Sequence, residues 1–263
     1  MRPIGQRSSW GVTILVVAAA LVLALPLIGL VQRTSWSTLL DDLTTPEARS
    51  ALSLSIVVSL VATALCVILG LPVAWVLART RWFGRGVLRA LVLVPLVLPP
   101  VVGGIALLGA FGRRGLLGGP LGDLLGIQLT FSTAGAVLAA TFVALPFFVL
   151  VAESSLRQVD RRYDEVAATL GATRGTTFRR VTLPLIAPGL AAGAVLAWAR
   201  ALGEFGATLT FAGNVEGATR TLPLAIYLKL DTNPSGAVAL SLLLLAVVVI
   251  VVVALRGRWW NAP

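Results

Sequence analysis

Six stretches of this chain, at about 11–31, 51–78, 88–111, 132–152, 185–202 and 236–255, are apolar over lengths that suit a bilayer crossing. A hydrocarbon core of roughly 30 Å needs about 20 helical residues to span it. The expected fold class is therefore an all-α membrane protein: one transmembrane domain over 1–263 with six helices. The second run is long enough to tilt or to project from the membrane, and Gly70-Leu71-Pro72 is expected to kink it. The first run follows Arg2 and Arg7, as a secretory signal would, but a signal's apolar region is usually about 7–15 residues and this one is longer. It is expected to remain as a membrane helix.

Composition points to the same solvent. Only 12% of residues are charged against 57% hydrophobic, with a mean hydropathy of +0.95. A soluble domain carries about 25% charged residues, so lipid must cover much of this surface. The net charge of +10 is distributed between apolar runs rather than along one amphipathic face, which argues against nucleic-acid binding.

The basic residues act instead as an orientation signal. One set of connections carries Arg2, Arg7, Arg79, Arg81, Arg85, Arg89, Arg157, Arg161, Arg162, Arg174, Arg179, Arg180, Arg256 and Arg258. The alternate set carries Arg33, Arg49, Arg113, Arg114, Arg220 and Lys229, giving 14 against 6. The positive-inside rule places the first set, and with it both termini, in the cytoplasm. Six crossings satisfy that parity. No internal repeat or separate soluble domain is evident, and the connections are too short to enclose a core.

Enzyme chemistry has few candidates here. The chain has no histidine, and its single cysteine, Cys66, lies inside an apolar run. That removes the commonest general base, the Ser-His and Cys-His dyads, and the commonest transition-metal ligand. No G-x-x-x-x-G-K-[ST] phosphate loop is present, and the one lysine, Lys229, falls in an external connection. Catalytic, cofactor-binding and metal-binding residues are all expected to be absent.

The longest cytoplasmic connection, about 153–184, reads ESSLRQVDRRYDEVAATLGATRGTTFRRVTLP. Asp160 suits an N-cap, and Tyr163, Val166, Ala167 and Leu170 fall on one face of a short helix. Gly171 is placed to end it, a second helical stretch can begin at Thr173 or Arg174, and Leu183-Pro184 is expected to restart a membrane helix.

This segment resembles the EAA loop of ABC importer permeases. Glu165, Ala167, Gly171, Val181, Leu183 and Pro184 fall at the motif's spacing, with Val166 replacing the usual first alanine. The resemblance implies a coupling helix that docks on a separate cytoplasmic ATPase, with Glu165, Ala167, Ala168, Gly171, Arg174, Leu183 and Pro184 in the coupling segment. ATP and Mg would be used by that partner. Two further stretches, LVLVPLVLPPVVGGIALLGAFGRRG from Leu91 and ARALGEFGATLTFAGNVEGATRTLPLAIY from Ala199, resemble molybdate permease subunits, with sulfate permeases close behind. The family resemblance implies a type I importer fold and a homodimer in the bacterial cell membrane. It further implies two ATP-binding subunits and an extracytoplasmic molybdate-binding protein. Molybdate, tungstate and sulfate are all tetrahedral dianions.

Candidate pathway residues follow from charge and polarity. Arg200 and Glu204 lie near membrane depth at i,i+4 spacing, where they either neutralise each other or meet the passing anion. Thr208, Thr210 and Asn214 either donate hydrogen bonds to oxoanion oxygens or cap loop turns. Other buried positive groups are lacking, so affinity is expected to reside in the external binding protein, since conduction requires weak sites. Ser55, Ser59 and Thr63 mark close helix packing or pore lining, and Gly103-Gly104 after Pro99-Pro100 marks close backbone approach or a hinge. Sulfate or thiosulfate import is the alternative within the class. An ion-coupled carrier would have only Glu204 as a membrane carboxylate and would leave the coupling loop without a purpose.

Overall fold

The computed structural model describes residues 10–160 and 162–259, excepting the side chains of 255–259. Arg2, Arg7 and Arg161 of the orientation tally lie outside these residues, as do the side chains of Arg256 and Arg258. The described residues form helices and no strand. In chain order these are α1 (Trp10–Gln32), α2 (Leu39–Thr44), α3 (Pro46–Arg79), α4 (Arg85–Val97), α5 (Pro100–Phe111), α6 (Gly118–Leu125) and α7 (Thr133–Gln158). They continue with α8 (Arg162–Thr169), α9 (Arg174–Thr177), a π-helical turn at Phe178–Thr182, α10 (Leu183–Leu202), α11 (Gly206–Ala212), α12 (Leu222–Thr232) and α13 (Pro234–Trp259).

Five helices are long and apolar enough to cross a membrane, counting Arg174–Leu202 as one continuous span. The expected third crossing, 88–111, is instead two helices. Leu98 and Pro99 are extended, with ψ of 134° and 135°, because Pro99 and Pro100 lack the N–H groups a helix would use there and disfavour helical geometry in the residues before them. By contrast, α3 runs from Pro46 to Arg79 with Pro72 inside it and no break in the helix.

Two other boundaries differ from expectation. The helix predicted over 132–152 continues to Gln158, because Glu153 and Arg157 pair at i,i+4 spacing and extend it beyond the apolar run. The predicted restart at Leu183-Pro184 is no restart, since α9, the π turn and α10 are continuous. Pro184 cannot donate, and the Leu183 N–H reaches back to the Phe178 carbonyl, the wider spacing of a π turn.

The core is the mutual packing of α3, α7 and α10. On α7 the stripe Ala136, Ala140, Ala144, Phe148 and Ala152 is wholly buried, facing Val58, Ala62 and Cys66 of α3 and Ala197 of α10. Lipid is as apolar as these side chains, so close packing of small residues, rather than exclusion from water, holds such helices together. Ser55 and Ser59 belong to this buried face of α3, and Ser55 Oγ accepts from the Leu222 N–H at 2.6 Å, tying α3 to the start of α12. The helix-packing reading of that polar stripe therefore fits their placement. On α1, no residue is buried against the rest of the chain.

Candidate functional site

The segment after α7 builds a small projecting unit from local signals. Asp160 accepts from the Arg162 N–H at 3.0 Å and so caps the start of α8. At the other end the Gly171 N–H donates to the Ala168 carbonyl and the Ala172 N–H to the Ala167 carbonyl, both at 3.0 Å. With Gly171 at φ +76°, this is a Schellman termination, which needs a residue that tolerates left-handed geometry. Thr173 then accepts from the Thr176 N–H at 3.3 Å and caps α9.

Tertiary contacts mount this unit on the end of α3. Arg79 donates through Nη2 to the Val159 carbonyl at 3.1 Å and pairs through Nη1 with Asp164 at 3.4 Å. Trp75 meets Phe178 edge-on, with ring centroids 5.2 Å apart. Ala167 is the single buried residue of α8 and faces the bundle. Tyr163, Val166 and Leu170, expected on the same face, are instead 52%, 58% and 81% exposed, an apolar surface that none of the described residues covers. Glu165 and Ala168 are exposed and, with Arg174 and Arg79, line a cavity of about 530 Å³ between α8 and α3. Leu183 and Pro184 sit where the π turn passes into α10. Arg79 and Asp164 carried no local signal of their role, since they meet across 85 residues of sequence.

The second group of candidates gathers at the far end of α10. Arg200 Nη2 lies 2.7 Å from Glu204 Oε2, off the hydrogen-bond direction but within ion-pair reach. Glu204 Oε1 accepts from the Ala207 N–H at 2.8 Å, so the carboxylate also holds the first turn of α11. Thr208 and Thr210 are helical rather than in a loop: Thr208 is buried, and the Thr210 hydroxyl donates to the Gly206 carbonyl at 2.7 Å. Asn214 Oδ1 accepts from Arg220 Nε at 3.1 Å, and Arg220 and Lys229 both pair with Glu47, at 3.3 and 3.0 Å. The structure thus brings Arg200, Glu204, Thr208 and Thr210 to one helical corner and places Asn214 in the adjoining loop network.

That corner packs on α5 through glycine. A Cβ at Gly104 would stand 2.6 Å from Thr210 Cβ and 3.0 Å from the Ala207 carbonyl oxygen, and one at Gly206 would stand 2.8 Å from Pro100 Cβ. The close-approach reading of Gly104 therefore agrees with its surroundings. Gly104→Leu is expected to lower stability by about 1–3 kcal/mol through overpacking. Gly109→Leu, at a position with open space around it, should change little. Thermal unfolding of the two variants in one detergent checks the difference.

The described residues thus form a helical bundle with five spans long and apolar enough to cross a membrane and a capped helix projecting at one end. Residues 67–259 match the family of binding-protein-dependent transport system inner membrane components, and the chain belongs to that family. It is 55% identical over 228 residues to the molybdenum transport system permease protein ModB of Mycobacterium tuberculosis, covering 86% of this chain and 85% of that protein. The ModB protein of Escherichia coli K12 is 45% identical over 202 residues, covering 76% and 88%. The sulfate permease CysT of Salmonella typhimurium is 37% identical over 229 residues, covering 86% and 82%. The fold matches a bacterial ABC transporter that imports alginate, with a TM-score of 0.77 at 16% identity over 96% of this chain and 94% of that one.

Proposed function

We propose that this chain is the membrane-spanning subunit of an ATP-driven molybdate importer, in the bacterial inner membrane. In this reading α4 and α5 together make the third of six crossings, and both termini face the cytoplasm. Two copies form the passage at their interface. Two ATP-binding subunits, which use ATP and Mg, drive the change from outward to inward access, and an extracytoplasmic binding protein delivers the anion. The chain itself binds no cofactor and does no chemistry on the substrate.

The observation that carries the coupling role is α8. It is capped at both ends, mounted on α3 through Arg79, and turns Tyr163, Val166 and Leu170 away from the bundle. Movement of a partner docked on that face passes to the membrane helices as a rigid-body displacement. Glu165, Ala167, Ala168, Gly171, Arg174, Leu183 and Pro184 form the coupling segment. The choice of anion rests on the molybdenum permeases, 45–55% identical to this chain, against 37% for the sulfate permease. Arg200, Glu204, Thr208, Thr210 and Asn214 border the passage or its gate. The Arg200 charge is already balanced by Glu204, which suits a weakly holding passage rather than a tight dianion site.

The deciding experiment is elemental mass spectrometry of cells lacking this chain, grown at scarce molybdate with ample sulfate. Cellular molybdenum is expected to collapse and to be restored by the intact chain. Unchanged molybdenum with impaired sulfate uptake would move the assignment to sulfate.

A further inference from the structure

A buried carboxylate that the foregoing reading does not use lies at the inner end of α7. Glu153 has a side chain only 6% exposed. Its Oε1 accepts from Arg157 Nε at 2.9 Å and Nη2 at 2.6 Å, and also from Arg89 Nη2 of α4. Arg157 Nη2 reaches on to the Leu77 carbonyl of α3 at 3.2 Å. Arg79, also near the end of α3, holds Val159 and Asp164. Two polar groupings thus lie side by side at the ends of α3 and α7, Asp164 with Arg79 and the Val159 carbonyl on the α8 side, and Glu153 with Arg157, Arg89 and the Leu77 carbonyl on the α4 side.

The attachment of α4 combines the Arg89–Glu153 contact with the packing of Val92 and Leu88 on the core. Val92 is its single buried residue, and the extended Leu98-Pro99 link separates it from α5. On the other side of that link α5 packs against α11 through Gly104 and Gly206. The two halves of the broken helix thus have different main partners, α4 packing on α7 and α5 on α11. Glu153 is buried while Arg89 and Arg157 are 44% and 45% exposed, so these contacts fix geometry more than they add stability. Arg157 grips Oε1 with two nitrogens and Arg89 reaches the same oxygen with one, each a charge-assisted contact.

Resting on the coupled-import reading, we infer that Glu153 is a positioning residue for coupling. It clasps α4 to the α3–α7 frame through Arg89, so that α4 moves with the frame on which α8 is mounted. Arg89→Met is the informative variant, because Glu153 keeps its Arg157 partner and the buried charge stays compensated.

The test uses the complete transporter with its ATPase in lipid vesicles. Spin labels are placed at Val87→Cys on α4 and Arg162→Cys on α8 in a Cys66→Ser background. With labelled subunits diluted into unlabelled ones so that only one copy per complex carries labels, dipolar spectroscopy should give one α4–α8 distance, the same with and without bound ATP. Adding Arg89→Met should broaden or shift that distance in the ATP-bound state. It should also lower the anion moved per ATP hydrolysed by roughly five-fold or more, with Arg89→Lys restoring both. An Arg89→Met complex with the parent's distances, or with the parent's ratio of anion to ATP, overturns the assignment. If the parent moves no molybdate, the substrate reading fails, and the label distances still decide the clasp.

Discussion

Gly171→Trp is expected to leave the subunit folded and assembled with its ATPase while molybdate uptake falls to roughly a tenth or less of the parent's. Gly171 sits at φ +76° and closes the Schellman turn that ends α8. A side chain in left-handed geometry costs about 1–2 kcal/mol. No atom lies within 4 Å of where a Cβ would stand, so the bundle meets no clash and the damage stays in the cap. Asparagine tolerates the left-handed region, so Gly171→Asn should retain most of the uptake. Uptake by reconstituted complexes, compared at equal assembly, separates the outcomes. Normal uptake with normal substrate-stimulated ATP hydrolysis in the tryptophan variant would contradict the role assigned to α8.

Arg200→Met is expected to destabilise the subunit by about 3–5 kcal/mol, because it removes the ionic partner of a buried carboxylate. Glu204 has a side chain 2% exposed and would keep only the Ala207 N–H as a charge-stabilising contact. The double variant Arg200→Met with Glu204→Gln leaves no buried charge and should recover most of the loss. Denaturation midpoints of the three proteins in one detergent check this. Parent-like stability in Arg200→Met would show that the pair does not hold this corner. Transport by the recovered double variant then decides between the two readings of Arg200. Parent-like uptake makes the pair structural, whereas a folded but inactive protein means that Arg200 meets the anion.

Much of the coupling segment was legible because its signals are local. Asp160 as a cap, Gly171 as a stop and Thr173 as the next start act on backbone groups within a few residues of themselves, so their chemistry can be read without knowing the fold. The apolar face of α8 was half legible. Periodicity marked Tyr163, Val166, Ala167 and Leu170 as one surface, but it could not tell that Ala167 alone turns to the bundle. Glu153 shows the opposite case. A charged run after an apolar one reads as the start of a loop, yet arginines from α7 and α4 neutralise Glu153 and let the helix continue to Gln158. Thr208 and Thr210 likewise sit among residues with weak helical periodicity. Their short helix depends on the Glu204 carboxylate and on the close approach of α5.

The sequence by itself determined the solvent, the helical class and the capped projecting unit. Each follows from residue type and near-neighbour spacing: apolar length against bilayer thickness, and side-chain acceptors or glycine at helix ends. Tertiary structure alone decided which partners the two pieces of the third apolar run take, and which charges are satisfied by one another. Arg79 finds Asp164 across 85 residues and Arg89 finds Glu153 across 64. Such pairings depend on which helix ends come together, and helix packing through small residues sets that, because lipid gives apolar faces little preference among themselves.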